Sequence, residues 1–222
     1  MMRKDSPFIA GEWYHCFNHS IEKRIAFEDS RDYYRFLELL YLANDESPLR
    51  RNDIGIRKFE EVLNIPRGKR LVTIGAFCLM PNCFDLVLNE VSEGGITAFM
   101  RKMGTAYTLY FNARRARVGN LFLKPFRSRH VPLRSFQHLI NYVHCNPAML
   151  YEPGWRANHV VDPQFLEEHL TAYPYSSLGA HRGAHTPTGA ILGTQSFSAV
   201  STVPLQKMLR EARQYCADFD IL

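Results

Sequence analysis

The sequence predicts an α+β fold: a ferredoxin-like split β-α-β sandwich with an antiparallel sheet, followed by a mainly helical C-terminal extension. Apolar segments of strand and helix length follow one another in the order strand, helix, strand, strand, helix, strand. The two middle strands are joined by a Met80-Pro81-Asn82 turn, which is typical of adjacent antiparallel strands. Because helices cover one face of such a sheet, we expect the other face to be left for a partner.

The first half of the chain begins with a predicted strand from Phe8 to Phe17, rich in aromatic residues. A helix follows, and Asp29 or Ser30 is predicted to cap it, because a side-chain oxygen accepts from free N–H groups of the first turn. Its apolar face is formed by residues at helical spacing, namely Tyr33, Phe36, Leu37, Leu40 and Tyr41. Residues 44–70 are a less regular insertion, in which Arg57 to Leu63 is predicted as a short helix.

The second half of the sheet domain is predicted from similar signals. Residues 71–79 and 83–91 form the two middle strands, with Cys83 and Asp85 on one face and Phe84 on the other, since side chains alternate along a strand. A long helix runs from about residue 96 to residue 117, and a strand with positive residues covers 121–131. The last helix, 132–145, is stopped by Asn146-Pro147, because proline lacks an N–H donor and clashes with the preceding turn.

After residue 150 the composition changes, so we divide the chain into a domain of residues 1–150 and an extension of residues 151–222. In the extension, Gln164 to Thr171 is predicted to be helical. Residues 179–202 are rich in Gly, Ser and Thr and are predicted to be loosely structured. A terminal helix from Pro204 to Phe219 carries Leu205, Met208, Leu209, Ala212 and Tyr215 at helical spacing.

Composition narrows the class of protein. The 222 residues carry a net charge of +5 and a sequence pI of about 9.0, which is compatible with a polyanionic partner such as DNA. The five cysteines are scattered and form no Cys-x-x-Cys pair, so we expect a reducing, cytoplasmic location. No signal peptide and no apolar run of the roughly 20 residues that span a bilayer is visible.

Several segments resemble one known family. The stretch Met80-Pro81-Asn82-Cys83-Phe84-Asp85-Leu86 is similar to the Met-Pro-Asn-His-hydrophobic-His-Leu signature of the IS200-like and REP-associated tyrosine transposases. Further similarities lie at Phe27-Glu28-Asp29, at Gly119 to Phe126, at Tyr142 to Pro147 and at Tyr173 to Leu178. The resemblance spans roughly residues 8–180 and is interrupted by residues 44–70. It implies the ferredoxin-like fold and identifies residues 1–150 as an IS200-like transposase domain.

The resemblance also implies a chemistry. In the family, a tyrosine at the position of Tyr142 attacks a DNA phosphate, and two histidines hold a divalent metal, Mg or Mn, beside it. Here Cys83 and Asp85 stand at the two histidine positions, and Asn146 stands where relatives complete the metal shell. A site of Cys83, Asp85 and Asn146 mixes a soft sulfur with hard oxygen ligands. His15, His138 and His144 are possible replacement ligands, and His138 is favoured because it shares a helix face with Tyr142.

Alternatives remain open at each of these positions. Cys83 and Asp85 either form a remodelled metal site or no longer support cleavage, and Tyr142 is either a nucleophile or a helix tyrosine with its ring in the core. The candidate DNA-binding residues are Arg114, Arg115, Arg117, Lys124, Arg127 and Arg129. Phe122 and Phe126 either pack in the core or stack on unpaired bases.

Three functions follow from the sequence. The first is a transposase-like protein that binds single-stranded or hairpin DNA with impaired or lost strand cleavage. The second is an active metal-dependent tyrosine transposase or nuclease, and the third is a protein-interaction module on this scaffold. Members of the family commonly act as dimers, so a homodimer is a further expectation of the resemblance.

Overall fold

The computed structural model describes residues 8–49, 58–193 and 203–219. Four strands form one antiparallel sheet: β1 (Trp13–His19), β2 (Val72–Met80), β3 (Cys83–Glu90) and β4 (Arg127–His130). Their order in the sheet is β2-β3-β1-β4, and each neighbouring pair is antiparallel. This order, with a helix after β1 and another after β3, is the split β-α-β arrangement, so the predicted fold class is confirmed.

Eight α-helices lie in the described part of the chain. They are α1 (Ser30–Leu42), α2 (Phe59–Val62), α3 (Gly95–Arg114), α4 (Leu133–Cys145), α5 (Ala148–Tyr151), α6 (Pro163–Ala172), α7 (Leu178–His181) and α8 (Leu205–Asp218). Short 3₁₀ turns lie at Ile21–Lys23, Pro153–Ala157 and Pro187–Ile191. None of these described helices is long and apolar enough to cross a bilayer.

Several predicted boundaries move. The first strand begins at Trp13, because the chain turns at Gly11, whose φ of +84° is left-handed. The long helix ends at Arg114, and Ala116 at φ +48° turns the chain away. The last strand is shorter than predicted. Residues 121–126 before it run beside the end of β1, with a bridge between Ser20 and Phe122 and a hydrogen bond of 3.0 Å from the N–H of Leu123 to the carbonyl of His19.

The insertion and the extension differ from the prediction in where their helices and turns lie. The predicted short helix begins at Phe59, and Arg57 lies outside the described residues. The segment predicted to be loose contains α7 and a 3₁₀ turn, and its part from 194 to 202 lies outside the described residues. The division of the chain at residue 150 stays a prediction.

Helices cover both faces of the sheet, so the expectation of a free second face is wrong. On one face, α1 and α3 enclose a core that includes Phe36, Phe84 and Tyr107. On the other face, α4 packs on β2 and β3, and α8 packs against α4. Helix α8 belongs to the extension, and its apolar stripe, predicted from spacing, is buried there with the stripe of α4.

The outer edge of β2 is paired with the extension. The N–H of Leu79 donates to the carbonyl of Tyr175 at 2.9 Å, and the N–H of Ser177 donates to the carbonyl of Phe77 at 3.0 Å. The Ser177 hydroxyl also accepts from the N–H of Phe77 at 3.0 Å. This pairing satisfies backbone groups of a buried strand that would otherwise lack partners.

A buried histidine, His144, and a half-buried one, His181, lie behind this pairing, and from them we expect the stability of the fold to depend on pH. His144 Nε2 lies 2.9 Å from Ser177 Oγ, and its ring centroid lies 4.9 Å from that of His181. Burial lowers the pKa of His144 well below its ordinary value of 6.5, and the neighbouring His181 and Arg182 lower it further. Burial also lowers the pKa of His181, while its hydrogen bond to the carbonyl of Gly75 raises it.

We therefore expect the free energy of unfolding to fall as the pH drops below 6.5. In that range the unfolded chain binds protons that the folded chain excludes, so each histidine contributes a slope of up to about 1.4 kcal/mol per pH unit. Urea unfolding between pH 7.5 and 5 measures this slope, with pH values chosen to bracket 6.5. The variant His144→Gln removes one titrating group, so its slope should be smaller. An equal slope in this variant would contradict the assignment.

Candidate functional site

The candidate site lies on the sheet face covered by α4 and α8. Along β3, Phe84 points into the aromatic core on the opposite face, where its ring lies 5.2 Å from that of Phe122. Asp85 therefore points towards α4, and Cys83 packs on the same side. Tyr142 on α4 is buried near both of them, with 4% of its surface exposed. The structure thus brings together positions 83, 85 and 142, which the family resemblance singles out.

Asp85 is held by two neighbours. His15 Nε2 lies 2.8 Å from Asp85 Oδ1, and the Asn146 side-chain amide donates to Asp85 Oδ2 at 2.6 Å. Strand β1 supplies the histidine because it lies beside β3, with Phe17 opposite Asp85 and His15 two residues further along the same face. Asn146 is the residue at which α4 ends. All three side chains are buried, so each carboxylate oxygen has a partner away from water.

The hydrogen bonds continue from this carboxylate in both directions. His15 Nδ1 lies 3.0 Å from the hydroxyl of Tyr215 on α8, and Arg156 Nη2 donates to Asn146 Oδ1 at 3.3 Å. Because a carboxylate oxygen accepts, His15 Nε2 carries the proton of its hydrogen bond to Asp85 and donates it. The side chains of Arg156, Asn146, Asp85, His15 and Tyr215 form one chain, which we call the Asp85 network.

Tyr142 packs against this network. Its ring centroid lies 5.7 Å from that of His15 and 5.2 Å from that of Tyr215. Burial raises its pKa well above the ordinary value of 10.0, and the negative charge of Asp85 raises it further, while Arg156 acts in the opposite direction. The phenol is therefore protonated at neutral pH and a poor nucleophile in this environment.

The resemblance implies a divalent cation beside Tyr142, and the donor set does not fit one. Both oxygens of Asp85 already accept from protein donors. Burial raises the pKa of the Cys83 thiol, and Asp85 raises it further, so the sulfur is a neutral thiol and a weak ligand. Among the described residues, no three His, Cys, Asp or Glu side chains are placed to hold a metal ion.

The histidines proposed as replacement ligands lie in three different environments. His15 contacts Asp85 directly, as described above. His138 lines an open surface cavity with His130, Arg134 and Asp218. The hydrogen bonds of Asp85 within the described residues go to His15 and Asn146, not to His138. His144 faces Ser177 and the edge of β2. The favoured role of His138 therefore stays a prediction without support from contacts.

Sequence reasoning missed two members of the Asp85 network, Tyr215 and Arg156, and found the other three. The position of His15 has a sequence signal, because the strand order of a split β-α-β fold places β1 next to β3. Tyr215 and Arg156 have none, since both belong to the extension, and local patterns do not show where an extension packs.

The candidate DNA-binding residues fall into two groups. Arg114 and Arg115 form ion pairs around the start of α1 with Asp32, which is fully buried. Arg114 also pairs with Asp29, whose side chain caps α1 by accepting from the N–H groups of residues 31 and 32. These two arginines are therefore occupied by structural contacts.

The remaining candidates surround the last strand. Arg117 donates to Asn112 Oδ1 at 2.8 Å, and the Arg129 guanidinium lies 5.4 Å from the ring centroid of Phe17. Lys124 and Arg127 are exposed, and neither forms an ion pair within the described ranges 8–49, 58–193 and 203–219. These two cations are the members of the predicted set that are available to a phosphate.

The two phenylalanines of this region also differ. Phe122 is 6% exposed and packs in the core against Phe36 and Phe84. Phe126 is only partly buried, and its ring lies parallel to that of Phe8 at 6.3 Å. Of the two predicted alternatives, the core position holds for Phe122, and Phe126 keeps part of its ring accessible.

Comparisons with known proteins give little at the level of sequence. No family model and no curated protein matches the chain. One of the solved structures that match is described as a REP-associated tyrosine transposase bound to a REP hairpin. The match covers 85% of this chain and 90% of that one, with 12% sequence identity and a TM-score of 0.49. At these values it supports no conclusion about function.

Proposed function

We propose that this protein binds single-stranded or hairpin DNA on the frame of the IS200-like and REP-associated tyrosine transposases, with strand cleavage impaired or lost. The observation that carries the proposal is the state of Asp85. It stands at a position where the family holds a metal-ligating histidine, beside the family's tyrosine position, yet His15 and Asn146 occupy both of its oxygens. The side chain at the family's metal-ligating position is therefore held by hydrogen bonds within the protein.

Cleavage requires more than a tyrosine at the right place. The attacking phenol must lose its proton, and the phosphate must be stabilised as negative charge develops on it. Tyr142 is buried with a raised pKa, and the neighbouring donor set does not fit a divalent cation. Each requirement is therefore unmet in this arrangement, which supports impaired or lost cleavage.

Binding requires cations that are not already paired. The net charge of +5 provides a general attraction to DNA, and Lys124 and Arg127 are exposed near the sheet edge. The five cysteines are free thiols, which supports a reducing, cytoplasmic compartment as part of this proposal. The homodimer implied by the resemblance stays a prediction.

We expect a labelled DNA hairpin with a single-stranded flank to bind with an affinity that falls steeply as salt is raised. Exchanging Lys124 and Arg127 together for alanine should reduce the slope of log K against log salt by about 1.4, if both contact single-stranded phosphates. Arg24→Ala is the matched control, because that arginine is exposed and paired with Glu22. Binding no stronger than that of a neutral protein would leave the protein-interaction function instead.

The loss of cleavage has its own test. With Mg or Mn present, incubation with DNA that the protein binds should give no covalent protein–DNA adduct on a denaturing gel. An adduct that forms and then disappears in Tyr142→Phe would establish the alternative, a working tyrosine transposase or nuclease. The double variant Cys83→His, Asp85→His examines whether the histidine pair alone is missing.

A further inference from the structure

A surface cavity of about 510 Å³ lies on the sheet face away from Tyr142. Helix α3 forms one wall, and the segment of residues 121–126 forms the other. Phe84 contributes to its lining, whereas the preceding and following residues of β3 face the candidate site. The cavity is therefore separated from the Asp85 network by the thickness of the sheet.

The lining combines an apolar interior with two cations. Met100, Phe122 and Phe126 supply apolar and aromatic surface, and Arg101 and Lys124 supply positive charge. Among the described residues, no carboxylate lines this cavity, whereas four other surface cavities contain Glu60, Glu38, Asp45 and Asp218, respectively. The threonines at 105 and 108 add hydroxyl groups that donate and accept hydrogen bonds.

The helix side of the cavity contains a glycine. Gly104 lies in the interior of α3, where glycine destabilises a helix relative to alanine. A Cβ atom built at this position meets no atom within 4 Å. Close packing against another part of the described chain therefore does not require glycine here, and its absent side chain leaves room in the cavity.

We propose that this cavity holds one unpaired base of single-stranded DNA, with the neighbouring phosphates against Arg101 and Lys124. The inference rests on the proposed DNA binding and adds the subsite that accepts a base. A base has a flat apolar face that stacks on an aromatic ring, polar edges that pair with hydroxyl groups, and a phosphate on each side. A purely apolar occupant would leave the two cations without a role, and an acidic peptide would leave the aromatic interior unfilled.

Filling the cavity from Gly104 tests the inference without removing any contact. We expect Gly104→Leu to reduce the affinity for a short single-stranded oligonucleotide by about 10-fold, which is within the range of losing one base–aromatic stack. Gly104→Ala is the matched control, because it favours the helix similarly and occupies little of the space. It should bind as the unaltered protein does.

A fluorescent base identifies the occupant directly. 2-Aminopurine, placed at each position of the oligonucleotide in turn, should be quenched on binding at the position that enters the cavity, and this quenching should be absent with Gly104→Leu. If Gly104→Leu does not fold, Arg101→Gln combined with Lys124→Gln should weaken binding of the oligonucleotide. Removing the base at the quenched position should then cost affinity in the unaltered protein.

The two levels of the proposal fail differently. If the unaltered protein and Gly104→Leu bind the oligonucleotide equally and no position is quenched differently, the base subsite is overturned while DNA binding stands. If the unaltered protein does not bind the oligonucleotide or a hairpin, the proposed function is overturned and the subsite with it.

Discussion

Replacing Asp32 by alanine is expected to lower the free energy of unfolding by about 3–5 kcal/mol, the cost of removing one partner from a buried ion pair. The Asp32 carboxylate is fully buried, and it accepts from Arg114, Arg115 and the Tyr110 hydroxyl. It also accepts from the N–H of Glu28, just before α1 begins. Alanine removes the acceptor of the Tyr110 hydroxyl and leaves Arg114 and Arg115 with only the more exposed partners Asp29 and Glu28.

Thermal melting and urea unfolding measure this loss, which corresponds to a fall in Tm on the order of 10 °C for a chain of this size. Glu22→Ala is the control, because its ion pair with Arg24 is on the surface and should contribute less than about 1 kcal/mol. Similar losses for the two variants would show that Asp32 has no special structural role.

Replacing Asp85 by alanine is expected to cost about 2–6 kcal/mol, because two buried donors lose their acceptor and each costs about 1–3 kcal/mol. The donors are His15 Nε2 and the side-chain amide of Asn146.

A smaller loss of stability is expected at the Tyr215 end of the Asp85 network. Tyr215→Phe removes one hydroxyl from His15 and should cost about 1 kcal/mol, measured by urea unfolding at neutral pH.

Cys83→Ala is the matched control for Asp85, since it lies on the same strand face but is only partly buried and should cost about 1 kcal/mol. If Asp85→Ala proves no more harmful than Cys83→Ala, the Asp85 network is not a structural element. Lost cleavage would then no longer follow from the hydrogen bonds of its two oxygens.

The elements that the sequence predicts well are those controlled by neighbours in the chain. The cap at Asp29, the turn from Met80 to Cys83 and the end of α4 before Asn146-Pro147 depend on local hydrogen bonding and on backbone geometry. The alternation that separates Asp85 from Phe84 is equally local. For the candidate site, alternation along β3 placed Cys83 and Asp85 on one face, and the four-residue spacing on α4 placed Asn146 beside Tyr142. That the two elements meet at one site was an implication of the family resemblance.

The sequence by itself determined the strand and helix order and the alternation that places Asp85 and Phe84 on opposite faces of the sheet, because these follow from periodicity and short-range capping. Only the tertiary structure decided what surrounds them. Tyr215 reaches His15 across 200 positions of sequence, and Arg114 reaches Asp32 across 82. Contacts of such length depend on how separate amphipathic faces are buried together, and no pattern within one element specifies the face against which another will pack.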